Sequence, residues 1–171
     1  MSRALNKEGN ILDLTNLLAR VKPSEKASFE FNFDENSEFA APYKFVGAGL
    51  ANLEARLDGD QIKLVGEIIV PMEFVCSKCG VSFEENLFVE VNEILTNEFD
   101  QEHFVISANK VDLDDIVNQL VIVNIPSRVL CKDSCLGVCP SCGKNLNEGA
   151  CDCKIKFNKE NPFVKLADKF K

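Results

Sequence analysis

Residues 58–80 read DGDQIKLVGEIIVPMEFVCSKCG. The Asp58-Gly59-Asp60 step stands between two β-rich runs, 45–57 and 61–75. Asp-Gly between apolar runs is a strong hairpin signal, because a tight two-residue turn needs positive φ. The second run leads straight into Cys76-Ser77-Lys78-Cys79-Gly80. Residues 83–95 then read as a further strand, with Leu87, Val89 and Val91 alternating against Phe88, Glu90 and Asn92. The CxxC therefore sits on a turn between strands, a natural place for a zinc knuckle.

Upstream, Ala27-Ser28-Phe29-Glu30-Phe31-Asn32-Phe33 alternates strictly, the period of a strand with one wet face. Its three phenylalanines are expected to fill a core rather than to stack on bases. Thr15 is expected to cap a helical turn that runs through Arg20 and ends at Pro23. Downstream, Asp112 is expected to cap a helix from Leu113 to about Val123, closed by Ile125-Pro126. Ile116, Val117, Leu120, Val121 and Val123 would form its buried face. Residues 98–102 read as a solvated loop. His103, the single histidine, reads as a surface or edge-strand residue without a catalytic partner.

After Pro126 the texture changes to a short, Gly- and Cys-rich segment with little apolar material, which burial alone cannot order. Asn161-Pro162 then introduces a short helix over 163–170. The expected fold class is α+β: a mostly antiparallel β-sheet packed with one or two helices, plus a Cys-rich zinc-knuckle C-terminal segment. The expected division is a β-rich α+β core over 1–125, then a zinc-binding segment and basic C-terminal helix, packed on that core, over 126–171.

The 171 residues carry 19 Lys plus Arg against 27 Asp plus Glu, a formal charge of -8. A generic nucleic-acid coat protein would be basic, so the balance argues against one, and DNA is not an expected partner. No apolar run approaches the ~20 residues of a membrane span, and the polar N-terminus has no signal-peptide core. The chain reads as cytoplasmic. In reducing cytosol, eight cysteines point to metal or redox chemistry rather than to stable disulfides.

The cysteines fall in four pairs: Cys76/Cys79, Cys131/Cys135, Cys139/Cys142 and Cys151/Cys153. Two ligands on one tight turn supply one edge of a tetrahedron and a second pair supplies the other, so four pairs imply up to two structural Zn2+ ions. Cys139-Pro140-Ser141-Cys142-Gly143 is the strongest local signal, since Gly143 permits a left-handed conformation just after the second ligand. Closure by Cys151 and Cys153 would make one compact site. Cys76, Cys79, Cys131 and Cys135 would make the other. The alternative joins Cys131/Cys135 to Cys139/Cys142 and leaves Cys76/Cys79 to Cys151/Cys153. A redox CxxC is disfavoured because no thioredoxin-like βαβ pattern surrounds Cys76; an iron–sulfur cluster is the other all-thiolate option.

Charge is polarised. Residues 84–115 hold six Glu and four Asp against one Lys, whereas residues 154–171 hold six Lys against Glu160 and Asp168. The acidic stretch is expected to be a solvated surface, with a face for a basic protein as the sharper reading. Asp112, Asp114 and Asp115 read as a helix N-terminus rather than a metal-nuclease cluster, and no enzymatic activity is expected.

The run from Cys131 to Gly149 resembles the YceD family, the large ribosomal RNA subunit accumulation proteins of bacteria and plastids. Cys76-Ser77-Lys78-Cys79 sits where that family has its CxRC-type knuckle, with Lys78 in place of the usual Arg. The Asp112-Leu113…Ile125-Pro126 segment and the Asn161-Pro162-Phe163…Leu166-Ala167 tail resemble further family motifs. The resemblance implies a non-enzymatic factor in large-subunit biogenesis that supports 23S rRNA accumulation or processing. The implied partners are 23S rRNA or its precursor, and a basic large-subunit ribosomal protein. Arg128, Lys144, Lys154 and Lys156, near the knuckles, are the candidate RNA contacts. The alternative reading is an acidic chaperone that holds the basic ribosomal protein.

Overall fold

The computed structural model describes residues 9–33, 43–97 and 103–153. In chain order the elements are β1 (Ile11–Asp13), α1 (Thr15–Leu18), β2 (Ser24–Phe31), β3 (Tyr43–Phe45), β4 (Gly49–Asp58), β5 (Gln61–Val75), β6 (Ser82–Thr96), β7 (Phe104–Val105), β8 (Lys110–Asp112), α2 (Leu113–Asn124) and a 3-10 turn, Leu146–Glu148. Among the described residues the fold is mostly antiparallel sheet with two α-helices.

The β5–β6 hairpin organises the rest. Each strand has 15 residues, against the usual 5 or 6, so the ribbon extends about 50 Å. Its register is antiparallel from Ile62↔Leu95 to Val75↔Ser82. Alternation sends Ile62, Leu64, Ile68, Val70, Met72 and Phe74 to one buried face, where Leu87, Val89, Val91 and Leu95 join them from β6. Cys76 continues that parity and is buried too, so the period of the strand aims the first thiol of the knuckle inward. The sheet order is β2-β4-β5-β6-β7, and β7 runs parallel to β6. Asp58 pairs with Gln61 across Gly59-Asp60, as the Asp-Gly signal predicts.

The expected single run over 45–57 is broken. Between the pairs Phe45↔Met72 and Leu50↔Ile69, residues 46–49 lie opposite only residues 70–71. Pro71 sits at this bulge and has no N–H to give to the ladder, while its carbonyl accepts from the Val46 N–H at 3.2 Å.

The phenylalanine face of β2 belongs to the core. Phe31 is buried, Phe29 and Phe33 pack against the same cluster, and the Phe33 ring stacks on Phe45 with centroids 4.0 Å apart. A second, two-stranded sheet pairs β1 with β8. It brings Leu12, Leu14 and Leu17 into one cluster with the apolar stripe of α2.

The Asp112 carboxylate caps α2, accepting from the amides of Asp114 and Asp115 at 3.0 and 3.3 Å. Asp114 in turn accepts from the backbone and side-chain nitrogens of Asn10 at 2.9 and 2.8 Å. Leu113, Ile116, Val117, Leu120 and Val121 are buried. Val123 is not: it is 74% exposed, although it lies seven residues after buried Ile116, on nearly the same line of the helix; it falls in the last turn, past the buried stretch that ends at Val121. Thr15 is not a cap either. It is the first helical residue, and its amide donates to the Asp13 carboxylate at 2.8 Å. The Thr15 side chain first, and then this amide, lower the Asp13 pKa. The helix stops at Leu18, before Arg20 turns to a φ of 57°. His103 is half-buried and directly precedes edge strand β7, neither on the open surface nor within the strand. The expected loop over 98–102 and helix over 163–170 lie outside the described residues.

Ile68→Ala, in the middle of the buried ribbon face, should cost about 2–5 kcal/mol. Val123→Ser should stay within about 0.5 kcal/mol. Urea denaturation measures both; a costly Val123 change would contradict the exposed placement.

Candidate metal centres

The tip of the β5–β6 hairpin forms the first knuckle. Cys76 N–H donates to Val81 O at 2.9 Å and Gly80 N–H donates to Cys76 O at 2.9 Å. The CPxCG turn repeats this pattern: Cys139 N–H donates to Lys144 O at 2.9 Å, and Gly143 N–H donates to Cys139 O at 2.8 Å. Gly80 and Gly143 take φ of 72° and 74°, the left-handed region that only glycine enters freely. Two segments with no common strand context thus adopt one turn, which holds two thiols on the same side.

The structure brings Cys76, Cys79, Cys131 and Cys135 into one group and Cys139, Cys142, Cys151 and Cys153 into another, with the sulfurs of each group within 4.8 Å of one another. Of the two pairings the sequence leaves open, this is the one that joins the hairpin tip to Cys131 and Cys135 rather than to Cys151 and Cys153. Cys76 Sγ lies 3.7 Å from Cys135 Sγ, and Cys79 Sγ lies 3.7 Å from Cys131 Sγ. A disulfide would need about 2.05 Å. A tetrahedron with metal–sulfur bonds of about 2.3 Å has sulfur–sulfur edges of about 3.8 Å. The first group therefore has the dimensions of a four-thiolate metal site. Both groups could hold a metal ion such as zinc.

The first group is the more enclosed. Cys76, Cys79 and Cys135 are buried and Cys131 is half-buried; in the second, only Cys139 is buried, and Cys142 and Cys153 are exposed. Further bonds seat the first group. Ser77 N–H donates to Val129 O at 2.8 Å, Val129 N–H donates to Ser77 Oγ at 3.2 Å, and Lys78 Nζ donates to Cys135 O at 3.2 Å. Asn147 Nδ2 donates to Cys135 Sγ at 3.4 Å. The sequence gives no sign of this last contact, because Asn147 lies in the loop between the ligand pairs of the other group.

The thiols are electrostatically prepared for a cation. Backbone N–H groups, that of Cys131 foremost, hold Cys76 down to about 6. The Ser141 and Cys142 amides do the same for Cys139, also about 6; the Ser141 N–H lies 3.4 Å from its sulfur. The Asn147 amide is the main cause that lowers Cys135. Desolvation and then the neighbouring thiols push Cys131 up to about 12. Contact with the Cys142 thiol, then desolvation, pushes Cys153 up to about 12. Four anions this close cannot coexist without a positive charge among them, so in each group some thiols ionise and others keep their protons.

Of the expected RNA contacts, Arg128 and Lys144 are exposed beside the knuckles. Lys144 Nζ donates to Ala150 O at 2.9 Å, inside the second knuckle. Lys154 and Lys156 lie outside the described residues.

A family model described as "Large ribosomal RNA subunit accumulation protein YceD" matches residues 64–168. The chain belongs to the YceD family. The matched span holds all eight cysteines and α2. A curated relative, "Large ribosomal RNA subunit accumulation protein YCED homolog 1, chloroplastic" of Arabidopsis thaliana, is 24% identical over 127 residues. The match covers 54% of this chain and 40% of that relative, so the chain spans less than half of the relative's length. No solved structure matches. No helix among the described residues is long and apolar enough to cross a membrane.

Metal uptake by this YceD-family chain should release protons. At pH 7 Cys131 and Cys153 start protonated and must ionise to bind, so zinc added to metal-free protein in weak buffer should acidify it. Affinity should rise with pH and fall steeply below about 6, where Cys76 and Cys139 also take up protons. Zinc binding without proton release would contradict the thiolate assignment.

Proposed function

We propose that this chain is a non-enzymatic factor in large ribosomal subunit biogenesis, which supports 23S rRNA accumulation or processing in the cytoplasm and carries structural zinc in both four-cysteine groups. The observation that carries the reading is the coincidence of the YceD match over 64–168 with both cysteine groups. A four-thiolate zinc ion has no open position for water or substrate, so the metal would act as a cross-link. It would fasten the segment from residue 126 onward to the β-rich core over 1–125.

The chemistry of the knuckle end supports an RNA contact. Lys78, Arg128, Lys132 and Lys144 cluster in sequence about the ligands, Arg128 and Lys144 are exposed, and Lys154 and Lys156 follow Cys153 directly. Lysine keeps three donors, so the bond from Lys144 to Ala150 leaves others for phosphate. In this reading Arg128, Lys144, Lys154 and Lys156 touch the RNA backbone, an acidic protein binding through one local basic patch.

A second reading has its own observation. On the outer face of the sheet, Glu67 lies directly opposite Glu90 and Glu73 directly opposite Glu84. Among the described residues no ion pair includes any of them. Like charges directly across a strand pair destabilise it. Between these rows runs Leu50–Ile69–Phe88, with Phe88 68% exposed. A basic ribosomal protein laid across this face would relieve the repulsion and cover the ring.

Binding to a 23S rRNA transcript across a salt series separates the readings. Arg128→Glu, Lys154→Glu and Lys156→Glu together should weaken binding and reduce the slope of log K against log salt by about 2–3. Unchanged affinity would remove the RNA placement. Glu67→Gln with Glu90→Gln would then be the informative pair, expected to weaken retention of a lysine-rich ribosomal protein while raising the denaturation midpoint.

A further inference from the structure

The loop that closes the second cysteine group does not keep to itself. Leu146 N–H donates to Gly137 O at 2.8 Å, and the bridge Val138↔Asn145 lays the loop against the strand-like stretch before Cys139. Asn145 Oδ1 accepts from both the backbone N–H of Asn147, at 3.1 Å, and its side-chain amide, at 2.8 Å. The Asn147 side chain is therefore held from both ends. Its Oδ1 accepts from the Leu136 N–H at 3.0 Å. Its Nδ2 reaches Cys135 Sγ of the first group at 3.4 Å.

The contacts span the gap between the two groups in a few residues. Cys135 is a member of the first group, Cys139 opens the second, and Leu136-Gly137-Val138 are the only residues between them. Gly137 packs on the first knuckle, where a Cβ would come within 3.1 Å of Lys78 O. The fold of the second loop thus fixes the donor that faces a sulfur of the first group.

We propose that Asn147 is a positioning residue that couples the two cysteine groups: set by the loop of the second, it orients and hydrogen-bonds the Cys135 thiolate of the first, so that metal in the second group strengthens metal binding in the first. The inference rests on the proposal that both groups bind zinc. Hydrogen bonds to a ligating atom fix its orientation and tune its affinity, and their loss commonly costs about 10–100-fold in metal binding. By linkage the coupling works in both directions.

The test uses the full chain loaded with cadmium and read by cadmium-113 NMR, where each group gives its own resonance. Cys76→Ser and Cys142→Ser assign them by removing one ligand from each. Asn147→Asp keeps an acceptor for the Leu136 N–H and removes the donor to Cys135 Sγ. It should shift the first group's resonance and weaken that group's affinity about 10–100-fold in chelator competition, with the second group, measured on a Cys76→Ser background where the first is disabled, within about twofold. Asn147→Ser, which shortens the side chain without adding charge, should repeat the pattern. Cys142→Ser should weaken the first group as well. If only the second group's resonance moves, or neither does, Asn147 serves its own loop alone and the coupling is overturned. If the unaltered chain takes up neither zinc nor cadmium, the zinc reading falls and the coupling falls with it.

Discussion

The contact on which the structure depends is the meeting of Cys76 and Cys79 with Cys131 and Cys135. Two sulfur pairs at 3.7 Å join residues 59 and 52 positions apart. On one side lies a ribbon anchored by a continuous apolar face. On the other lies a segment whose buried apolar content, among the described residues after Pro126, is Cys135 and Cys139. Such a segment has too little to bury to stand by burial alone. Its order comes from the hydrogen bonds of Ser77, Lys78 and Asn147 that seat it, and, in the proposed function, from a metal cross-link.

The length of the ribbon explains why this contact can form. β4 stops pairing with β5 at Ile69. The further residues of β5 and β6 carry the knuckle beyond the edge of β4, with β3 bracing the extension at Met72–Phe74. The bulge opposite Pro71 lets the β3–β4 side change register there. Sheet geometry and the first cysteine group thus meet at one point: the parity that buries Met72 and Phe74 also buries Cys76.

Much of this is legible in the sequence because it is local. Asp-Gly marks the hairpin, alternation marks the ribbon faces, Asp112 marks the start of α2, and two CxxCG turns mark the knuckles. The pairing of the knuckles is not local. Spacing alone leaves two arrangements, and the three-dimensional path of the ribbon selects one. The break between β3 and β4 depends on a proline in another strand. Thr15 has the chemistry of a cap, yet its amide bonds to the carboxylate of Asp13 two residues earlier. Asn147 carries no motif, since its contact with Cys135 arises only when one loop folds over the neighbouring group. Val123 has the composition of a core residue and nearly the angle of Ile116, yet it lies in the last turn of α2, past the buried stretch.

Two separate four-sulfur metal sites, as proposed, fix how much zinc the chain can carry. The most direct test is zinc per chain, by metal analysis of protein purified without chelator, for the unaltered chain and for Cys139→Ser plus Cys142→Ser. Two zincs should fall to one. A metal-free chain with eight freely titratable thiols, or the loss of both zincs at saturating metal in the variant, would contradict it.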